Sequence, residues 1–223
     1  MWQLTYDDIC KNLKERENFS FSRWGDGEWL CLMGNSGRNC DGHPYFPDLG
    51  LTMAGILIQD QTHHMGMQPF AIKRHGNEIA KWCKENEVRM DWCDADIIHD
   101  ASIANRLNDM GVAMSGRKVI LVAPDRLAQM AWRYKAAHVH VPLTNCWKWR
   151  NTIHADILDE IDKDSVILYC ASMMSNVLIA RLVNEYGNTI TQIDIGSAFD
   201  PLCGFATRGY HAGILERIKE HGL

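Results

Sequence analysis

Two short runs constrain this chain more than any other feature: KVILVAP at 118–124 and SVILYCA at 165–171. Each is apolar at consecutive positions, rich in β-branched residues and too short for a core helix. A strand that is apolar on both faces must be covered on both, as in a parallel sheet clad by helices. Helical patterns lie between the strand patterns. They cover 125–136, NTIHADILDEI at 151–161, and NVLIARLVNEYG at 176–187, where Gly187 takes the C-cap position. AHVHVPL and TITQIDIG read as two more strands, and AGILERIKEHG as a closing helix. The fold class that follows is α/β, Rossmann-like, a mostly parallel sheet with helices on both faces.

The first half reads the same way with weaker patterns. Residues 5–16 form a helix opened by Thr5 with acids in its first turn. FSFSRW alternates as a strand, GEWLCLMG is a short helix, and 35–50 is a Gly/Asn/Pro loop. A helix over 51–60, a strand at HHMGMQ, a helix over 70–87, a strand at ADIIH and a helix over 101–110 complete it. No repeat, low-complexity tract or linker interrupts the 223 residues, 46% of them hydrophobic, so a single domain over 1–223 is expected. No apolar run is long enough for a membrane span. The acidic, amphipathic start is unlike a secretory leader, so a cytoplasmic location is expected.

Eight cysteines occur without a CxxC pair, which reads as small thiols in a core rather than structural zinc. Cys40 and His43 are the nearest approach to a ligand pair. The net charge of −5 excludes nucleic-acid binding through a broadly basic surface. One local patch remains, RYKAAHVHVPLTNCWKWR at 133–150, with Arg133, Lys135, Lys148 and Arg150 among aromatics. It suits a polyanion or a sugar, and equally an exposed loop around packed tryptophans.

In such sheets ligands bind beyond the carboxyl ends of the strands. Arg23, Gly25, Asp26, Gly27 and Glu28 follow the first strand. Two carboxylates either side of one glycine can face a common point, where hard oxygen ligands suit Mg²⁺ or Mn²⁺, and Arg23 adds a fork for a phosphate. Asp-Gly is also a common turn dipeptide, and Glu28 also suits a helix start. CASMMSN lies between a buried strand and a helix, where free N–H groups make a phosphate seat. Ser172, Ser175 and Asn176 there either touch a ligand or cap the helix. DIGSAFDPLCGFATRGYH gathers Asp194, Asp200, Arg208, Tyr210 and His211 on irregular backbone after the last strand, more than an exit loop requires. Neither GxGxxG nor GxxxxGK[ST] is present, which counts against a nicotinamide dehydrogenase and a P-loop NTPase.

FSRWGDGEW resembles the R-x-G-D-G-E signature of the GT-D-type glycosyltransferases, a bacterial family with a Rossmann-like fold. The likeness continues in order through DADIIHDAS, GRKVILVAP, VILYCASMMSNVLIARL and TITQIDIGSAFDP, most of the chain. It implies metal-assisted transfer of a sugar from a nucleotide diphosphate, UDP foremost, to an acceptor hydroxyl. Mn²⁺ or Mg²⁺ would sit at Asp26 and Glu28. Arg23, Gly25, Gly27, Ser172, Ser175, Asn176 and Arg208 would lie about the donor diphosphate. The base would come from Asp194, Asp200 or His211, and a single displacement would invert the anomeric centre. The acceptor would be a glycan, a protein glycan or a hydroxymethylated DNA base. Two other readings stand beside this one: a nucleotide-sugar binding module without turnover, and a Rossmann-like enzyme that modifies nucleic acid.

Overall fold

A computed structural model describes residues 4–59 and 62–221 of the chain. The elements are α1 (Tyr6–Glu15), β1 (Ser20–Trp24), α2 (Asp26–Leu32), α3 (Pro47–Ile58), β2 (His64–Met67), α4 (Pro69–Glu85), β3 (Cys93–Asp94), α5 (Ile97–Ile103) and α6 (Leu107–Ala113). They continue with β4 (Val119–Ala123), α7 (Ala128–Tyr134), β5 (Ala137–His140), α8 (Arg150–Glu160), β6 (Val166–Tyr169), α9 (Met174–Tyr186), β7 (Thr191–Asp194) and α10 (His211–His221).

The seven strands form one sheet in the order β3-β2-β1-β7-β6-β4-β5, and every pairing is parallel. The α/β class read from the apolar runs holds. All five residues of β4 and all four of β6 are buried, as strands covered on both faces must be. Alternate side chains feed different cores. Leu121 and Leu168 pack beneath α1, α5, α6 and α7, while Ile120, Val122 and Ile167 pack beneath α8 and α9. A third cluster, centred on Trp24, Trp29, Met53 and Ile79, seats α2, α3 and α4 on the latter side.

Local signals explain several element starts. Thr5 and Asp8 cap α1 reciprocally: the Asp8 N–H donates to Thr5 Oγ1 at 3.2 Å and the Thr5 N–H to Asp8 Oδ2 at 2.9 Å. Pro47 opens α3 inside the stretch read as a loop, since its fixed φ suits a first helical turn. Position 60 of the helix read over 51–60, residues 1–3 and Gly222 of the closing helix lie outside the described residues.

Two expectations are corrected. ADIIH is not a strand. The strand is the preceding pair Cys93–Asp94, and Asp94 Oδ1 then accepts the Asp96 N–H at 2.8 Å, turning the chain into α5. The helix expected over 101–110 is two helices, α5 and α6, parted where Asn105 takes the left-handed conformation at φ 58°.

The sheet order reverses between β4 and β6: β4 connects outward to β5, whereas β6 connects the other way to β7. A crevice is expected at the carboxyl ends of such a pair.

Candidate functional site

A cleft of about 770 Å³ opens there. It runs along the whole sheet, since residues just beyond each of the seven strands contribute to its wall, from Ala95 after β3 to Pro142 after β5. Arg23, Gly25, Asp26, Gly27, Glu28, Ser172, Asp194 and Arg208 all line it. The sequence assigned these residues from three separate stretches, and one cavity unites them.

The floor lies between β1 and β7. Glu28 stands at the third position of α2, and its Oε2 accepts the Gly25 N–H at 2.8 Å. This is the helix-start role that the sequence left open, and it coexists with a place in the cleft wall. Burial, aided by the charge of Asp194, pushes the Glu28 carboxyl up to about 7, against the pull of the Gly25 N–H and Arg23. Asp194, at the end of β7, is only 5% exposed. Burial raises it to about 6, although Arg23 and the N–H groups of Gly196 and Arg23 favour its anion. Its Oδ1 accepts the Gly196 N–H at 2.9 Å. Asp26 is more open. Its Oδ1 accepts the Gly27 N–H at 2.9 Å and its Oδ2 stands 3.8 Å from Arg74 Nη1.

Arg23 lies flat across this floor, its Nε donating to the Ala95 carbonyl at 2.6 Å. Glycine at 196 is required for that. Its φ is +54°, and a Cβ there would sit 2.0 Å from Arg23 Nη1.

A strap formed by the loop between α2 and α3 crosses the cleft. Asn39 organises it: its Oδ1 accepts the N–H groups of Asp41 (3.1 Å) and His43 (2.9 Å), and its Nδ2 donates to Ser172 Oγ at 2.6 Å. A side chain at Gly27 would meet Asn39 Cβ at 3.0 Å, so glycine lets the strap approach α2. Ser172 holds φ 55°, a left-handed conformation that costs a non-glycine residue about 1 kcal/mol. Asp41 pairs with Arg208. Cys40, beside them, lines the cleft as an exposed thiol. His43 is buried, its Nε2 4.0 Å from Cys146 Sγ rather than aligned with Cys40. All eight cysteines are unpaired thiols, four of them buried.

The other sequence candidates lie behind the wall. Asp200 is fully buried, with Arg126 Nε 3.2 Å from its Oδ1, Arg126 Nη2 3.3 Å from its Oδ2, and the Thr207 hydroxyl also on Oδ2. That is a brace for the loop after β7, with no oxygen turned to the cleft. His211 is also fully buried, and its Nδ1 accepts the Thr207 N–H at 3.1 Å and the Arg208 N–H at 3.3 Å. Ser175 Oγ accepts the Ala171 N–H at 3.2 Å, which ties the turn into α9. Asn176 is buried outside the cleft, its side-chain amide making no hydrogen bond among the described residues.

The sequence passed over His99, Asp96, Asn39 and Asp41, whereas Arg126, which also lines the cleft, belongs to the strand-end pair Asp125–Arg126 that follows VILVAP in the sequence. His99 lies inside a segment taken for a strand, where a correct boundary at Asp94 marks it as a strand-end residue. The strap residues carry no local signal.

The donor set is compatible with a hard divalent cation, in one limited sense. Among the described residues no three His, Cys, Asp or Glu side chains are grouped to hold a metal. An ion held by Asp26 and Glu28 would have to take its other oxygens from a bound phosphate. A carboxyl raised to about 7 by burial is one that a cation would relieve.

Fold and cleft together define an α/β protein whose polar residues converge beyond the carboxyl ends of a parallel sheet. Among solved structures, the chain is similar to a domain of unknown function 1792 described as having a distinct glycosyltransferase fold, at TM-score 0.63 and 17% identity over 88% of this chain and 78% of that one. A selenomethionine-substituted structure of domain of unknown function 1792 agrees equally well. This chain has that glycosyltransferase fold. No protein-family model and no curated protein matches it. No helix among the described residues is long and apolar enough to cross a membrane.

Proposed function

We propose that the cleft is the active site of a metal-dependent glycosyltransferase that moves a sugar from a nucleotide diphosphate, UDP foremost, to an acceptor hydroxyl. The observation that carries the reading is the convergence of Arg23, Asp26, Glu28 and Asp194 on one cleft, in a fold shared with a domain described as a glycosyltransferase fold.

Asp26 and Glu28 would hold Mn²⁺ or Mg²⁺ against the donor diphosphate. Such an ion, when bound, offsets charge on the leaving phosphates. Arg23 adds fixed positive charge from a dry floor, where electrostatic stabilisation is strongest. Asp194 is the base: it faces the cleft, and a carboxyl raised to about 6 accepts a proton readily near neutral pH. It takes the proton from the acceptor hydroxyl as that oxygen attacks the anomeric carbon, and a single displacement of this kind inverts configuration. Asp200, held by Arg126 and Thr207, and His211, whose Nδ1 accepts the Thr207 and Arg208 N–H groups, support the loop that bears Arg208.

A thermal-shift screen of nucleotide sugars, with and without Mn²⁺, tests the reading when repeated on Asp26→Asn. A donor that stabilises the parent only with metal, and the variant not at all, is the expected outcome. No metal-dependent shift with any donor would reject it.

A further inference from the structure

Arg23 is held from one side. Its side chain is 11% exposed, with Nη2 3.1 Å from His99 Nδ1 and 3.5 Å from Asp96 Oδ1. Nη1 makes no hydrogen bond among the described residues and packs over Gly196.

A guanidinium only donates. Its contact with His99 Nδ1 is a hydrogen bond only when that nitrogen is bare, which puts the ring proton on Nε2. Burial, and then the charge of Arg23, favour this neutral ring and push it down to about 4. Asp96 pulls the other way: its Oδ1 stands 3.5 Å from the same Nδ1 yet makes no hydrogen bond among the described residues. Arg208 adds a charge that disfavours protonation, and the Tyr210 ring packs 5.3 Å away, centre to centre. Within this group His99 takes the Arg23 Nη2 hydrogen bond and leaves Asp96 an ion pair at 3.5 Å, short of a hydrogen bond.

We propose that His99 is a positioning residue, whose bare Nδ1 keeps Arg23 from closing its 3.5 Å ion pair with Asp96 into a hydrogen bond and leaves the free Nη1 edge directed at a diphosphate in the cleft. This rests on reading Arg23 as the contact for the donor phosphates. Without that contact, Arg23 closes on Asp96 and its charge turns away from the ligand.

The test is isothermal titration of the full chain with UDP plus Mn²⁺, with inorganic pyrophosphate as a second probe and melting temperatures recorded throughout. His99→Leu weakens both probes by about tenfold or more, the worth of one charge-assisted hydrogen bond. His99→Asn, whose amide oxygen reaches the place of Nδ1, stays within about threefold of the parent. Asp96→Asn added to His99→Leu recovers most of the lost affinity, a rescue that a purely structural role does not give. A folded His99→Leu protein that binds like the parent overturns the inference and leaves the proposed function standing. If the Leu variant does not fold, His99→Gln decides. It offers its amide at the place of Nε2 and must bind more weakly than His99→Asn, and equal affinities overturn the inference. A parent protein that binds neither probe removes both the function and this inference.

Discussion

Arg208 grips Asp41 with one nitrogen, its Nη2 standing 2.7 Å from Oδ1 and 2.8 Å from Oδ2, and so joins the loop after β7 to the strap across the cleft. Both side chains are about three-quarters buried. The fork proposed for a phosphate is therefore already engaged by a carboxylate, and a ligand that uses it must displace Asp41. Asp41→Asn weakens this tie. The expected results are faster proteolytic cleavage within 35–46 and a stability loss of about 1 kcal/mol, a fall in melting temperature of a few degrees. Cleavage at the parent rate would show that the pair does not hold the strap.

Glu28 gives a pH signature. In the unfolded chain it ionises near 4.5, and in the fold only near about 7. Between those values the folded protein keeps a proton that the unfolded chain has lost, so stability falls as pH rises through that window. Glu28→Gln removes this penalty and retains an acceptor for the Gly25 N–H. The variant should melt several degrees above the parent at about pH 8, with the gap closing towards about pH 4.5.

Asp26 makes the complementary case. It contributes one bond to the Gly27 N–H and a 3.8 Å approach to Arg74, so Asp26→Asn should cost less than about 1 kcal/mol. Calorimetric titration with Mn²⁺ in the presence of UDP should nonetheless lose its binding signal. Sugar transfer should fall by about a hundredfold or more. Parent-like Mn²⁺ binding by the variant would take Asp26 out of the metal site.

Asp194 and Asp200 should separate chemistry from structure. Asp194→Asn keeps the Gly196 N–H bond but removes the base, with an expected rate loss of about a hundredfold to ten-thousandfold and, by the same linkage as at Glu28, a melting temperature at or above the parent's above about pH 6. In the parent the rate should climb with pH through about 6, as Asp194 loses its proton. Asp200→Asn instead leaves Arg126 facing a neutral amide in a buried pair, and its main effect should be a loss of several degrees in melting temperature. The opposite pattern in the two variants would exchange their roles.

What the sequence made legible follows from how local each determinant is. β4 and β6 announce themselves because every residue in them is buried, so pattern and position agree. Arg23, Asp26, Glu28 and Asp194 were legible because they follow recognisable strands in a fold whose sites lie at strand ends. ADIIH misled because three apolar residues in five look like a strand, while the deciding contact is an Asp94 side chain on a neighbouring N–H. The strap was out of reach. Asn39 meets Ser172 across 133 positions and Asp41 meets Arg208 across 167, separations over which no local pattern carries information.

The exposed thiol of Cys40 gives the cleft a reporter of its own. Burial of its surroundings raises it above an ordinary cysteine, so alkylation is slow enough to follow by mass spectrometry under mild conditions. A nucleotide resting beneath the strap would shield that sulfur, and the slowing of its labelling would read out occupancy without a dye, a tag or a substitution.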